Sequence, residues 1–153
     1  MKKLLRIGFI SFIFLWFSLS NSLAQTVSIE IFPSSISFPD ANPDTAPLIS
    51  ANDQVIVDIE ITDNTSGSWI LTLIAYGDLE NGKNTIPVEN ITWKAMPSPP
   101  FIYGTMSKTN AQIVAKGTGD IKISAQVNFF LKNSWYYIPG NYSRTVVFTL
   151  IVP

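Results

Sequence analysis

The sequence contains no cysteine and no histidine. Without cysteine there is no disulfide framework, so stability has to come from packing and hydrogen bonds. Without histidine the Ser-His-Asp and Cys-His mechanisms are excluded, as are zinc sites built on those ligands. Charge is also scarce: 14% of the residues are charged, against about 25% in an average domain. Ten basic residues face eleven acidic ones, so the balance favours neither nucleic acid nor anionic lipid. No stretch holds a 3.6-residue apolar period over a dozen positions, which argues against amphipathic helices.

The chain opens with "MKKLLR", a basic head, then the apolar "IGFISFIFLWFSLS" and the polar "NSLAQ". With Ser22 and Ala24 forming a small-x-small pattern, residues 1–24 read as a secretory signal peptide cleaved after Ala24. The rival reading is a retained anchor. The apolar stretch from Ile7 to Leu19 covers 13 residues, whereas about 20 are needed to span a bilayer. Cleavage leaves residues 25–153, a single domain of 129 residues with no membrane span. It removes Lys2, Lys3 and Arg6 from the ten basic residues, so seven face eleven acidic ones and the net charge is −4. A chain of that length buries about two thirds of its unfolded surface, enough for one core.

Period two dominates residues 25–153. In "DQVIVDIEIT", Val55, Val57, Ile59 and Ile61 share one face, with Asp58 and Glu60 on the other. In "DIKISAQVNFFLK" the residues from Ile121 to Leu131 alternate with Lys122, Ser124, Gln126 and Asn128. Both predict half-buried strands. "TVSIEIF", "WILTLIAY", "NITWKAM", "AQIVAK" and "RTVVFTLIV" add strands rich in β-branched and aromatic residues. Between them lie "FPDANPDTAP", "NGKN", "MPSPPF", "KGTGD" and "IPGN", dense in turn residues. Short strands at this spacing predict an all-β, two-sheet antiparallel sandwich, immunoglobulin-like, with about seven to nine strands. In "RTVVFTLIV" both faces are apolar, which predicts a central strand whose loss unfolds the domain.

The remaining catalytic option is a carboxylate pair, as in glycosidases. Asp58 and Glu60 fall on the polar face of a strand, where solvated surface is the better reading, so no enzyme is expected. "DANPD" sets Asp40, Asn42 and Asp44 at alternate positions, but Thr45 and Ala51 stand where a calcium loop needs glycine and glutamate. An Asx turn fits better, and neither metal nor cofactor is expected. Sequons begin at Asn64, Asn90 and Asn141, relevant only in a host that glycosylates exported proteins. Trp135, Tyr136 and Tyr137 are consecutive and cannot all point inward from a strand. With Tyr103 as a candidate neighbour they form the candidate binding face, since exposed rings stack on sugars and anchor protein contacts. The alternative is that they cap one open end of the sandwich.

"DNTSGSWILTLIA", with Trp69 and Leu71, resembles the first signature of the WxL domain, a β-rich module of bacterial surface proteins. Its second signature, tyrosine followed six positions later by Trp-x-Leu, resembles Tyr142 with Phe148-Thr149-Leu150, where phenylalanine replaces the tryptophan. The resemblance implies an exported module held non-covalently on the bacterial wall or in a surface assembly. Trp69 and Phe148 also fit a plain packing role as large residues on neighbouring strands. From Gly140-Asn141-Tyr142 onward the chain is also similar to the ends of secreted pilin-like and spore-coat-type subunits, some of which assemble by strand donation.

The expectation is thus a secreted or cell-surface, non-enzymatic structural or binding module. Its expected partners are cell-wall polymer or other surface proteins. The alternative is a self-assembling, homo-oligomeric subunit of an extracellular appendage or coat.

Overall fold

The period-two segments become strands in a computed structural model that describes residues 25–153. The segment expected to be a signal peptide, residues 1–24, lies outside the described residues. In chain order the strands are β1 (Thr26–Phe32), β2 (Leu48–Ser50), β3 (Val55–Thr62), β4 (Ser68–Ala75), β5 (Leu79–Asn81) and β6 (Asn84–Ile86). They continue with β7 (Ile91–Met96), β8 (Gly104–Thr105), β9 (Gln112–Thr118), β10 (Ile121–Lys132) and β11 (Val146–Ile151). The fold is all-β, and its two main antiparallel sheets face each other as a sandwich. Sheet A runs β1-β3-β10-β7-β8, with β2 paired to the end of β10, and sheet B runs β11-β4-β9.

Eleven strands replace the expected seven to nine, because β2, β5, β6 and β8 are only two or three residues long. Such pieces carry too few residues to show a period. The seven long strands divide four and three between the sheets, as in an immunoglobulin constant domain. Relative to that arrangement the fifth and sixth long strands, β9 and β10, exchange sheets. The link between them crosses from one layer to the other, as in that domain but in the opposite direction.

That crossing meets a second one. The chain passes from β3 in sheet A to β4 in sheet B through residues 63–67, and from β9 back to β10 through Gly119, whose φ is +74°. Asn64 joins the two turns. Its backbone N–H donates to Asp120 Oδ1 at 2.7 Å, and its Nδ2 donates to the Gly67 carbonyl at 3.0 Å. Gly119 N–H donates to the same Gly67 carbonyl at 2.9 Å. Asn64 is the buried polar side chain of the described residues, and its bonds satisfy the rule that such groups be paired.

The interior is filled by the inward residues of both sheets, among them Val57, Ile59 and Ile61 of β3, Leu71 and Leu73 of β4, and Val127 and Phe129 of β10. Trp69 and Trp93, one from each sheet, are its largest fully buried side chains. Each stands directly opposite a glycine on an edge strand: Trp69 pairs with Gly117 of β9, and Trp93 with Gly104 of β8. The indoles lie over these glycines, so that a Cβ on Gly117 would stand 2.5 Å from Trp69 Cζ2. Burying an indole of about 200 Å² contributes about 5 kcal/mol at 25 cal/mol per Å². Trp93 Nε1 donates to the Ile102 carbonyl at 2.9 Å, whereas Trp69 Nε1 has no acceptor among the described residues. An unpaired buried N–H costs about 1–3 kcal/mol, less than the indole gains by burial.

β11 is not the central strand predicted from its two apolar faces. Its one strand neighbour among the described residues is β4. Val146, Phe148 and Leu150 pack inward while half-buried, and Ile151 on the opposite face is 49% exposed. The outward apolar residues, which suggested a second covering layer, instead face solvent.

Asp78, between β4 and β5, anchors the loops beneath this sheet. Its Oδ2 pairs with Lys108 Nζ at 2.6 Å and its Oδ1 accepts the Val88 N–H at 3.1 Å. The Lys108 hydrogen bond chiefly holds the Asp78 carboxyl below its ordinary value of 3.8, and Asp78 in turn raises Lys108 above 10.5. Asp78 therefore stabilises the fold fully above 3.8, and its contribution fades as pH falls through the depressed value. The Lys108 contribution is complete below 10.5 and fades as pH rises through the raised value.

Gly117→Ala should destabilise the domain by about 1–3 kcal/mol in a urea titration, because the buried indole has nowhere to move; unchanged stability would show that the ring is not seated on Gly117. Asp78→Asn should lower the melting temperature near neutral pH, and the deficit should shrink as the buffer is taken well below 3.8. A deficit that stays constant with pH would rule out the ion pair as its source.

Candidate functional site

Beyond Lys132 the chain leaves β10 in a tight turn that sorts the three consecutive aromatics. Asn133 Nδ2 ties the turn to the preceding loop by donating to the Ala41 and Ala46 carbonyls at 2.9 and 3.1 Å. Ser134 N–H donates to Asn133 Oδ1 at 3.0 Å, and Tyr137 N–H closes onto the Ser134 carbonyl at 3.2 Å. This reversal throws Trp135 and Tyr136 outward, 66% and 95% exposed, and turns Tyr137 back against the core. Burial pushes the Tyr137 hydroxyl above its ordinary value of 10.0, opposed by the hydrogen bond it accepts from Asn90 Nδ2 at 2.8 Å.

Trp135 is exposed but tethered. Its Nε1 donates to Asp44 Oδ1 at 2.9 Å. Asp44 is positioned by the Asx turn expected of "DANPD": its N–H donates to Asn42 Oδ1 at 2.9 Å, and Ala46 N–H donates to the Asn42 carbonyl at 2.8 Å. Two loops thus build one tip, with a flat indole held by its N–H edge and a carboxylate beside it. Tyr103 is not part of it. Its hydroxyl meets Met96 Sδ at 3.9 Å, at the far end of β7 from Asn90, where Tyr137 is bound. Six residues of extended strand, about 20 Å, separate the two ends. The expected grouping of Tyr103 with the triplet is therefore corrected: β10 runs antiparallel to β7 and ends with Leu131 opposite Ile91, so the triplet leaves at the Asn90 end while Tyr103 lies at the Met96 end.

The motif residues sit together in the core layer. Leu71 of β4 is opposite Leu150 of β11, and Leu73 is opposite Phe148. Trp69 and Leu71 are fully buried, Phe148 and Leu150 half-buried. Tyr142 lies apart from them, four residues before β11, where it packs on the edge of the core and donates its hydroxyl to the Ile138 carbonyl at 2.8 Å. The two Trp-x-Leu-like segments lie on paired strands and meet at Leu71 and Leu150, an arrangement that serves packing. Of the sequons, Asn64 is buried and Asn90 is held by Tyr137, while Asn141 is exposed.

The outer faces of the two sheets differ in chemistry. Sheet A presents Glu30, Asp58, Glu60 and Lys122, which line a shallow groove of about 290 Å³. Glu60 Oε2 pairs with Lys122 Nζ at 3.0 Å, and Glu30 of β1 stands directly opposite Asp58. Sequence reasoning weighs Asp58 with Glu60 and misses Glu30, because only strand pairing brings β1 beside β3. An open cleft of about 580 Å³ lies near Tyr76 and Ser143; the Arg144 guanidinium in it is paired with Glu80 at 3.1 Å. Sheet B presents cross-strand apolar pairs instead, Val147 with Ile74 and Ile151 with Ile70, around the pair of Thr149 and Thr72.

No family model matches the chain, and no curated protein is significantly similar to it.

Proposed function

We propose that the protein is an exported, non-catalytic module that binds a glycan chain of the cell surface through Trp135 and Tyr136. The observation that carries this reading is the tethered Trp135: its ring is two thirds exposed while its N–H is bonded to Asp44. An aromatic face that is solvated yet fixed loses little entropy on binding, which favours affinity. The apolar C–H face of a pyranose stacks on such a ring, and the Asp44 carboxylate beside it accepts sugar hydroxyls. The low charge of the chain suits a neutral polymer better than a polyanion. The resemblance of Trp69-Ile70-Leu71 and Phe148-Thr149-Leu150 to the WxL signatures points to the same setting, non-covalent attachment to wall polymer. In this reading those residues support the sandwich and the tip makes the contact.

Co-sedimentation with purified cell-wall polysaccharide tests the proposal. Wild-type protein should pellet with the polymer, and Trp135→Ala should weaken binding about tenfold, equivalent to about 1.4 kcal/mol, with an unchanged melting temperature. Tyr136→Ala should weaken binding as well, and Tyr103→Ala should leave it intact. Wild-type affinity in Trp135→Ala, or equal loss in Tyr103→Ala, would refute the tip as the binding face.

A further inference from the structure

Every open sheet invites pairing at its edges, and natural sandwiches blunt those edges with charge, bulges, short strands or covering segments. Three of the four edges here carry such devices. β8 is two residues long. β9 holds Lys116 and a register shift opposite Leu71 and Thr72, and it is crossed by Phe101 and Ile102, whose N–H donates to the Val114 carbonyl at 2.8 Å. β1 carries Glu30 at mid-strand and is followed by Pro33. β11, "VVFTLI", has no charge, no proline, no register shift and no second strand neighbour among the described residues.

The free side of β11 can be identified atom by atom. Tyr76 N–H donates to the Thr145 carbonyl at 3.1 Å, and these residues are opposite in the β4–β11 register. Thr145 therefore begins the set that bonds to β4, and antiparallel alternation continues it through Val147, Thr149 and Ile151. The Thr149 carbonyl, which accepts Thr72 Oγ1 at 3.4 Å, agrees. The backbone N–H and C=O groups of Val146, Phe148 and Leu150 point away from β4, toward the open edge, while their side chains point inward.

We propose that this edge pairs with the β11 edge of a second copy of the chain, antiparallel about a two-fold axis, with Thr149 opposite Thr149. Three conditions select that register. Open-edge residues must face open-edge residues, so that each exchanges both backbone bonds. Inward side chains must meet inward side chains, so that the two sheets B become one continuous layer. Both hold when the axis passes through any residue of the strand, and the third condition, greatest apolar burial, chooses among these positions. The Thr149 register alone sets Val147 against Ile151, burying the most exposed apolar side chain of the strand, and joins two threonines at the axis. No charge enters the pairing, and an isologous contact of this kind closes at two copies. The inference is independent of the glycan-binding reading, since the tip and the edge share no residue.

Sedimentation equilibrium of the purified protein should show a mass that doubles with rising concentration. Thr149→Lys should stay monomeric over the same range with an unchanged melting temperature, since the side chain faces solvent in the monomer. Ile113→Lys, on the outer face of sheet B but away from this edge, should dimerise like wild type and so exclude face-to-face stacking. The chain has no cysteine, so Thr149→Cys provides a direct register test. Opposite residues at a non-hydrogen-bonded pair lie about 4.5 Å apart at Cα, within disulfide reach, and oxidised glutathione should convert this variant to a covalent dimer. A wild-type protein that stays monomeric, a Thr149→Lys variant that still dimerises, an Ile113→Lys variant that does not, or a Thr149→Cys dimer whose thiols stay free would each overturn the pairing.

Discussion

Two tryptophans occupy the middle of this sandwich because a glycine stands opposite each of them on an edge strand. Trp69 lies over Gly117 and Trp93 over Gly104, so both layers use the same solution to fit their largest side chain between them. The pairing also places both indoles toward one flank of the molecule. There β8 and β9 are the terminal strands of their sheets, and the segment through Phe101 and Ile102 joins the layers. Glycine edges are weak on their own account, and an aromatic ring across the strand compensates for the missing side chain. The core and the closed flank are therefore one construction.

Closing that flank leaves the opposite one to β1 and β11. The two crossing turns joined at Asn64 connect the layers at one end, through bonds that are buried and satisfied. Two surface features with unused bonding or stacking capacity are the Trp135 tip and the open edge of β11. The first is rigid because two loops meet at Asn133 and Asp44. The second is regular because β4 holds it in register over six residues. Neither involves the carboxylates of sheet A, where Glu60 is engaged by Lys122.

Much of this architecture is legible in the residue pattern itself. The seven long strands emerge from alternation in some segments and from β-branched and aromatic enrichment in the others, and alternation marks the buried faces of β3 and β10. The features that stay hidden do so for physical reasons. Strands of two or three residues have no period, so β2, β5, β6 and β8 pass for loop. The two apolar faces of β11 resemble those of a strand covered on both sides, and sequence does not distinguish a covered face from an exposed apolar one. That three consecutive aromatics cannot all point inward is readable in the sequence, but which two turn out, and their separation from Tyr103 by the antiparallel pairing of β10 with β7, is not. Glu30 opposite Asp58 is likewise a product of pairing. Long-range register, rather than local pattern, decides each of these.

The seating of the indoles is tested most directly by hydrogen exchange at their ring N–H groups, monitored by NMR in deuterated buffer. The Trp69 and Trp93 signals should persist until the whole domain opens, Trp69 through burial alone and Trp93 through burial and its bond to Ile102. The exposed Trp135 should exchange far sooner. Loss of the Trp69 signal as fast as that of Trp135 would mean that water reaches the space between the sheets, and the central packing described here would be wrong.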